Sequence, residues 1–214
     1  MARRKKEPKI VHRETIAAAA SELFASKGIT ATSMDDIAKV AGYSKATLYV
    51  YFENKEEIVS VLVMKSMKKL YSYIVSALEK EKSTESRYRQ ICQGLLQYQK
   101  EFPFYFEMVL DQIDIQGHNS ECMPEEKETY QIGEEINKKL AVFLQNGIDK
   151  GELKADIKIM PTIFAFWGML SGFIQLARKK ERYIKDTMNL SEQQFIEYGF
   201  DMLYQSIAME DSGK

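Results

Sequence analysis

Apolar residues along this chain recur mostly three and four positions apart, the spacing of one helix face, and seldom alternate as a strand requires. Ile16, Ala17, Ala20, Leu23 and Phe24 predict a helix from about Val11 to Ser26, closed by Gly28. Thr30 to Ser33 reads as a polar connector. Ile37, Ala38 and Ala41 mark a short second helix. Ser33 is its N-cap, Asp36 holds the capping-box position, and Gly42 stands where it must stop. Ser44 caps a third helix from Lys45, in which Leu48 and Phe52 face inward together. A fourth, capped by Asn54 with Glu57 at the box position, runs from Lys55 to about Lys82. Ile58, Val61, Leu62, Leu70, Ile74 and Leu78 lie on its inner side. Such a helix spans roughly 40 Å, enough to carry a tilt from one domain to another.

The same period continues downstream. Ser83 or Thr84 caps a helix to about Lys100, and Pro103 opens an aromatic run that includes Phe104, Tyr105, Phe106 and Met108. Residues 115–124 read as a loop. Pro124 or Glu125 begins a helix to Asn146, with Ile132, Ile136, Leu140, Phe143 and Leu144 at helical intervals. Gly147 and Gly151 bracket a connector. Two apolar helices follow, about Met160 to Lys180 and Ser191 to Ala208. Phe164, Trp167, Leu170 and Ile174 in the first, and Phe195, Tyr198, Phe200 and Met202 in the second, put apolar groups on more than one face. A helix apolar all round is buried on several sides. In a chain of 214 residues that argues for a second molecule covering it. The pattern predicts an all-α protein.

Charge divides the chain. Residues 1–55 hold 10 Lys/Arg against 6 Asp/Glu, and the remainder 20 against 25. A basic head on an acidic body is the electrostatic footprint of a nucleic-acid-binding domain joined to a partner domain. Arg3, Arg4, Lys5 and Lys6 form an arm that reads equally as a phosphate or minor-groove contact and as a solubilising tail. Cys92 and Cys122 make no CxxC pair and no disulfide framework, which reads as a reducing, cytoplasmic setting. Ile159 to Ala177 comes nearest to a membrane span, but Pro161, Thr162, two glycines, Ser171 and Gln175 interrupt it, so a buried helix is expected.

The outer face of the third helix narrows the function. It carries Lys45, Thr47, Tyr49 and Tyr51, with no acid between Lys45 and Phe52. Such a face suits the major groove, where Lys pairs with guanine acceptors and Thr or Tyr reaches base edges or phosphates. A helical hairpin buried in a larger bundle is the plainer reading of the same pattern. Ser33 and Thr32, at the start of the second helix, can hold a phosphate while Ser33 also caps.

The stretch SMDDIAKVAGYSKATLYVYFENKEEI resembles the TetR family of bacterial transcription regulators. The resemblance rests on the turn Ala41-Gly42-Tyr43-Ser44, on Thr47-Leu48-Tyr49, on Phe52 and on the run Asn54-Lys55-Glu56-Glu57. It covers about residues 10–65. It implies a three-helix helix-turn-helix DNA-binding domain over residues 1–55, arm included, and a helical ligand-binding and dimerisation domain over 56–214. It implies DNA contacts from Ser33, Ser44, Lys45, Ala46, Thr47, Tyr49, Tyr51 and Lys55, the last on phosphate. It also implies a homodimer through the last two helices on a palindromic operator, repression as the usual outcome, and release by a small-molecule inducer. Activation by the same fold and a helical adaptor without DNA remain alternatives.

For a largely apolar or aromatic inducer, Tyr98, Phe102, Phe106, Met108, Phe143, Phe166 and Trp167 are candidate walls as a set, although each taken singly reads more readily as core. An enzyme is not expected. There are two His, no nucleophile elbow, no phosphate-binding Gly loop and no zinc motif. His118, Glu121 and Cys122 match no zinc spacing, so no metal and no cofactor are assigned.

Overall fold

The computed structural model describes residues 8–80, 83–111 and 123–209. Among the described residues there are ten helices. They are α1 (Lys9–Lys27), α2 (Met34–Ala41), α3 (Lys45–Tyr51), α4 (Lys55–Lys80), α5 (Thr84–Glu101), α6 (Pro103–Asp111), α7 (Pro124–Asp149), α8 (Ile159–Lys179), α9 (Glu181–Met188) and α10 (Glu192–Ile207). The fold is all-α; the one β-type contact among the described residues is an isolated bridge between Leu153 and Ala208. The chain divides into two compact units, one drawn from residues 1–68 and 104–130 and the other from 69–103 and 131–214. The division falls inside α4, after the first residue of α6, and inside α7. The arm residues Arg3 to Lys6, and His118, Glu121 and Cys122, lie outside the described residues.

In the first unit, α1 stops at Gly28, whose φ of 86° places it where glycine is the favoured residue. The predicted cap of α2 is complete. Ser33 Oγ accepts the Asp36 N–H at 3.2 Å, and the Ser33 N–H donates to the Asp36 carboxylate at 3.0 Å. Gly42 turns the chain in the left-handed conformation, φ 76° and ψ 24°. The core joins Ile16, Ala20 and Phe24 of α1, Ile37 and Ala38 of α2, Leu48 and Phe52 from the third-helix segment, and Ile58 and Leu62 of α4. Burying each of the larger side chains contributes about 1.5–3 kcal/mol. Met108 of α6 completes this core, and Phe104 packs on Phe24 with ring centres 6.3 Å apart.

The second unit is closed by the connector after α7. Lys154 N–H donates to Ile207 O at 2.9 Å, and Met209 N–H donates to Glu152 O at 3.1 Å. The Glu152 carboxylate accepts the Thr84 N–H at 2.9 Å, which satisfies a free donor at the start of α5. Leu153 between them is buried. Gly147 allows this approach: a Cβ there would lie 2.6 Å from Leu153 Cδ1 and 2.9 Å from Thr84 Cγ2. One element differs from expectation. Residues 181–188, unassigned from sequence, form α9, whose single buried residue is Ile184. Its apolar spacing is one i,i+4 pair, Ile184 and Met188, and Met188 stays exposed.

Candidate nucleic-acid interface

The third helix is held by its own cap and by α1. Ser44 Oγ accepts the Thr47 N–H at 3.1 Å and pairs with the Thr47 hydroxyl at 2.8 Å. At the other end, the Arg13 guanidinium donates to Tyr51 O at 2.6 Å and to the Glu57 carboxylate at 2.6 Å. It also donates to Glu125 at 2.9 Å and lies 4.2 Å above the Phe52 ring. One cation thus ties the end of α3 to the first turns of α4 and α7. Glu57, which also caps at the Glu53 N–H, is occupied by this pair.

Leu48 and Phe52 point inward, as their spacing predicts, and Lys45, Ala46 and Tyr49 are exposed. Thr47 is half-buried. Lys45 Nζ sits 2.8 Å from Asp35, with both side chains in water. The hydrogen bond from Lys45 to Asp35 and their mutual charge favour the protonated amine. An exposed pair of this kind is weak and exchanges readily for another anion. Ser33, with its capping duties met, is also exposed.

Three positions differ from the sequence picture. Tyr51 is half-buried rather than outward, because its ring packs 5.0 Å from His12 and 6.3 Å from Tyr43. His12 Nδ1 in turn pairs with the Tyr43 hydroxyl at 2.7 Å. Lys55 is also half-buried, and its ammonium donates to Ile29 O at 2.8 Å and Thr32 O at 3.1 Å. Two of its three donors therefore brace the α1–α2 connector, leaving one to reach outward. Val50, which sequence reasoning passed over because apolar residues default to core, is 69% exposed beside Tyr49.

The candidate ligand walls separate. Tyr98, Phe102, Phe143, Phe166 and Trp167 belong to the second unit, while Phe106 and Met108 belong to the first. Met108, on α6, is a member of the first unit's core. Tyr98 is fully buried against Tyr73 and Phe102, with ring centres at 5.7 and 6.1 Å. Lys69 stands 4.7 Å over Phe102. Phe166 meets Tyr88 edge-on at 6.0 Å, and Trp167 is half-buried. Cys92 is buried, and burial pushes its thiol up to about 12, so it is neutral near pH 7 and unsuited to attack as a thiolate.

A capped two-helix turn, packed on a third helix and presenting a cation, a hydroxyl and a phenol from its second member, defines a helix-turn-helix DNA-binding protein. Comparison with known proteins names the family. The profile of "Bacterial regulatory proteins, tetR family" matches residues 16–62, the span of this head. The HTH-type transcriptional regulator TtgR of Pseudomonas putida is 26% identical over 98% of this chain and 99% of its own. The biofilm operon icaADBC HTH-type negative transcriptional regulator IcaR of Staphylococcus epidermidis is 39% identical over 26% of this chain and 28% of its own. The crystal structure of the TetR-family regulator PfmR from Thermus thermophilus superposes with a TM-score of 0.64. It is 25% identical and covers 89% of this chain and 97% of that one. The head of the chain matches the TetR family, and the chain is a helix-turn-helix transcription regulator.

Proposed function

We propose that this regulator is a repressor that binds a palindromic operator as a homodimer and is released by a small, largely apolar or aromatic inducer. The reading is carried by one observation: two exposed faces of opposite chemistry. The α3 face offers Lys45, Thr47 and Tyr49 to a duplex. On α8, the turn-by-turn column of Phe164, Gly168, Gly172 and Leu176 is exposed, and on α10 Tyr198 and Met202 are exposed. α8 is long and apolar enough to cross a membrane by length and composition alone. In a transcription regulator, a second copy of the chain is the better cover. Glycines at 168 and 172 have open space over them, which lets a partner helix approach closely.

In this reading Lys45, Ala46 and Thr47 reach for bases, while Ser33, Ser44, Tyr49, Tyr51 and the remaining Lys55 donor hold phosphates. Residues 1–55 serve DNA, and 56–214 serve the inducer and the dimer. Two recognition helices then stand ~34–36 Å apart or somewhat more on successive major grooves. Tyr98, Phe102, Phe143, Phe166 and Trp167 supply inducer walls in the second unit. The inducer acts by its differential affinity for two head spacings. A hundredfold loss of operator affinity requires about 2.7 kcal/mol of such coupling. The setting is cytoplasmic, and the chain carries no catalytic site.

A gel shift against random palindromic duplexes, run from low to high salt, tests this. Retention that falls steeply with salt is expected. Retention undiminished by Lys45→Ala with Tyr49→Ala excludes the assigned face. Increased transcription from the bound promoter establishes the activator alternative, and no DNA retention establishes the adaptor.

A further inference from the structure

Val50 is the most exposed bulky apolar side chain among the described residues, at 69%. It lies on a helix whose inner positions, Leu48 above all, are fully buried, so the exposure is not a packing failure of α3. Ala46, one turn earlier on the same side, is exposed as well. The two form a narrow apolar column beside the polar column of Lys45 and Tyr49. No acid occurs within α3, although Asp35 of α2 pairs with Lys45. Valine has no hydrogen-bonding group and cannot hold a phosphate. It is also a poorer helix former than the Lys, Gln or Ala that an idle surface position usually carries.

The major groove offers one apolar group, the C5-methyl of thymine. A valine in a helix keeps essentially one χ1 rotamer, so its two methyl groups are presented in a fixed direction with little entropy left to lose. We propose that Val50, with Ala46 beside it, reads a thymine methyl group in each half-site and so selects operators with thymine at that step. This rests on the DNA-binding reading above and adds the base that the apolar column recognises.

The full-length protein is used to select from a pool of random-sequence duplexes. Each thymine of the selected duplex is then replaced in turn by deoxyuridine, which removes only the methyl group. At one step per half-site affinity is expected to fall about fourfold, the factor for losing burial of one methylene-sized group. Val50→Ala and Val50→Thr are expected to shrink that penalty below about twofold, with the salt dependence of binding unchanged because no phosphate contact is touched. Equal affinity for every uracil duplex overturns the inference and leaves the DNA-binding reading standing. A penalty that persists undiminished in both variants, or a shallower salt slope in them, also overturns it. Selection of no duplex overturns both.

Discussion

Two exposed surfaces set this molecule's chemistry, and their difference is instructive. The outer face of α3 is a mosaic of ammonium, hydroxyl, phenol and methyl groups on a seven-residue helix. The outer face of α8 and α10 is apolar, with aromatic and methionine side chains around two glycines. A duplex edge is itself a mosaic of donors, acceptors and methyls, and needs a partner that can match each. A second protein chain needs mainly apolar area and close backbone approach. Both faces rest on well-packed helices, so either can be altered without opening the core beneath it.

The largest expected effect comes from breaking the apolar face. Phe164→Glu combined with Met202→Glu should convert the dimer to monomer in analytical ultracentrifugation. It should also lower operator affinity by about a thousandfold, because each chain then engages one half-site without the avidity of two. Helix content by circular dichroism should be unchanged, since both side chains are exposed. Breaking the mosaic face should do the converse. Lys45→Ala with Tyr49→Ala should cost about a hundredfold in operator affinity, with dimerisation and melting temperature unaltered.

Gly147→Ala touches neither face and separates stability from both. It forces Leu153 and Thr84 apart and should lower unfolding free energy by about 1–3 kcal/mol, measured by urea titration. Dimer and operator binding of the folded fraction should be retained. Ser33→Ala removes the cap of α2 and should cost about 1 kcal/mol. The smallest effect concerns acid. The Lys27 ammonium, then the Ser33 N–H and hydroxyl, hold the Asp36 carboxyl well below the usual carboxylate range. Asp36 therefore adds stability above its unfolded pKa of about 3.9, and that contribution fades as pH falls through the more acid range. Asp36→Asn should lower the melting temperature slightly in the neutral range and flatten the acid limb, so that the two proteins converge at low pH in pH-dependent thermal melts.

Much of the head was legible because its signals are local. Ser33, Asp36, Gly42 and Ser44 act within one turn of where they stand, and Leu48 and Phe52 share a face by helical period alone. Lys55 was read correctly as opening a helix, but its two carbonyl partners are 23 and 26 residues earlier, and no spacing rule reaches that far. Tyr51 likewise turned on a contact with His12 across the unit. Val50 was missed because hydrophobicity reports what a side chain prefers, and the fold decides what it obtains. α9 was missed because its apolar spacing, Ile184 to Met188, spans a single turn.

By itself, then, the order of residues determined the helical class, the caps and turns, the basic head and that head's resemblance to a family. Those properties depend on backbone dihedrals and charge counts over a few residues, which any stretch carries with it. Tertiary packing alone decided which apolar groups stay in water, that Met108 joins the head's core, that Arg13 pins the end of α3, and that Leu153 seats over Gly147. These depend on distances between residues far apart in the chain, and such distances exist only once the helices have been brought together.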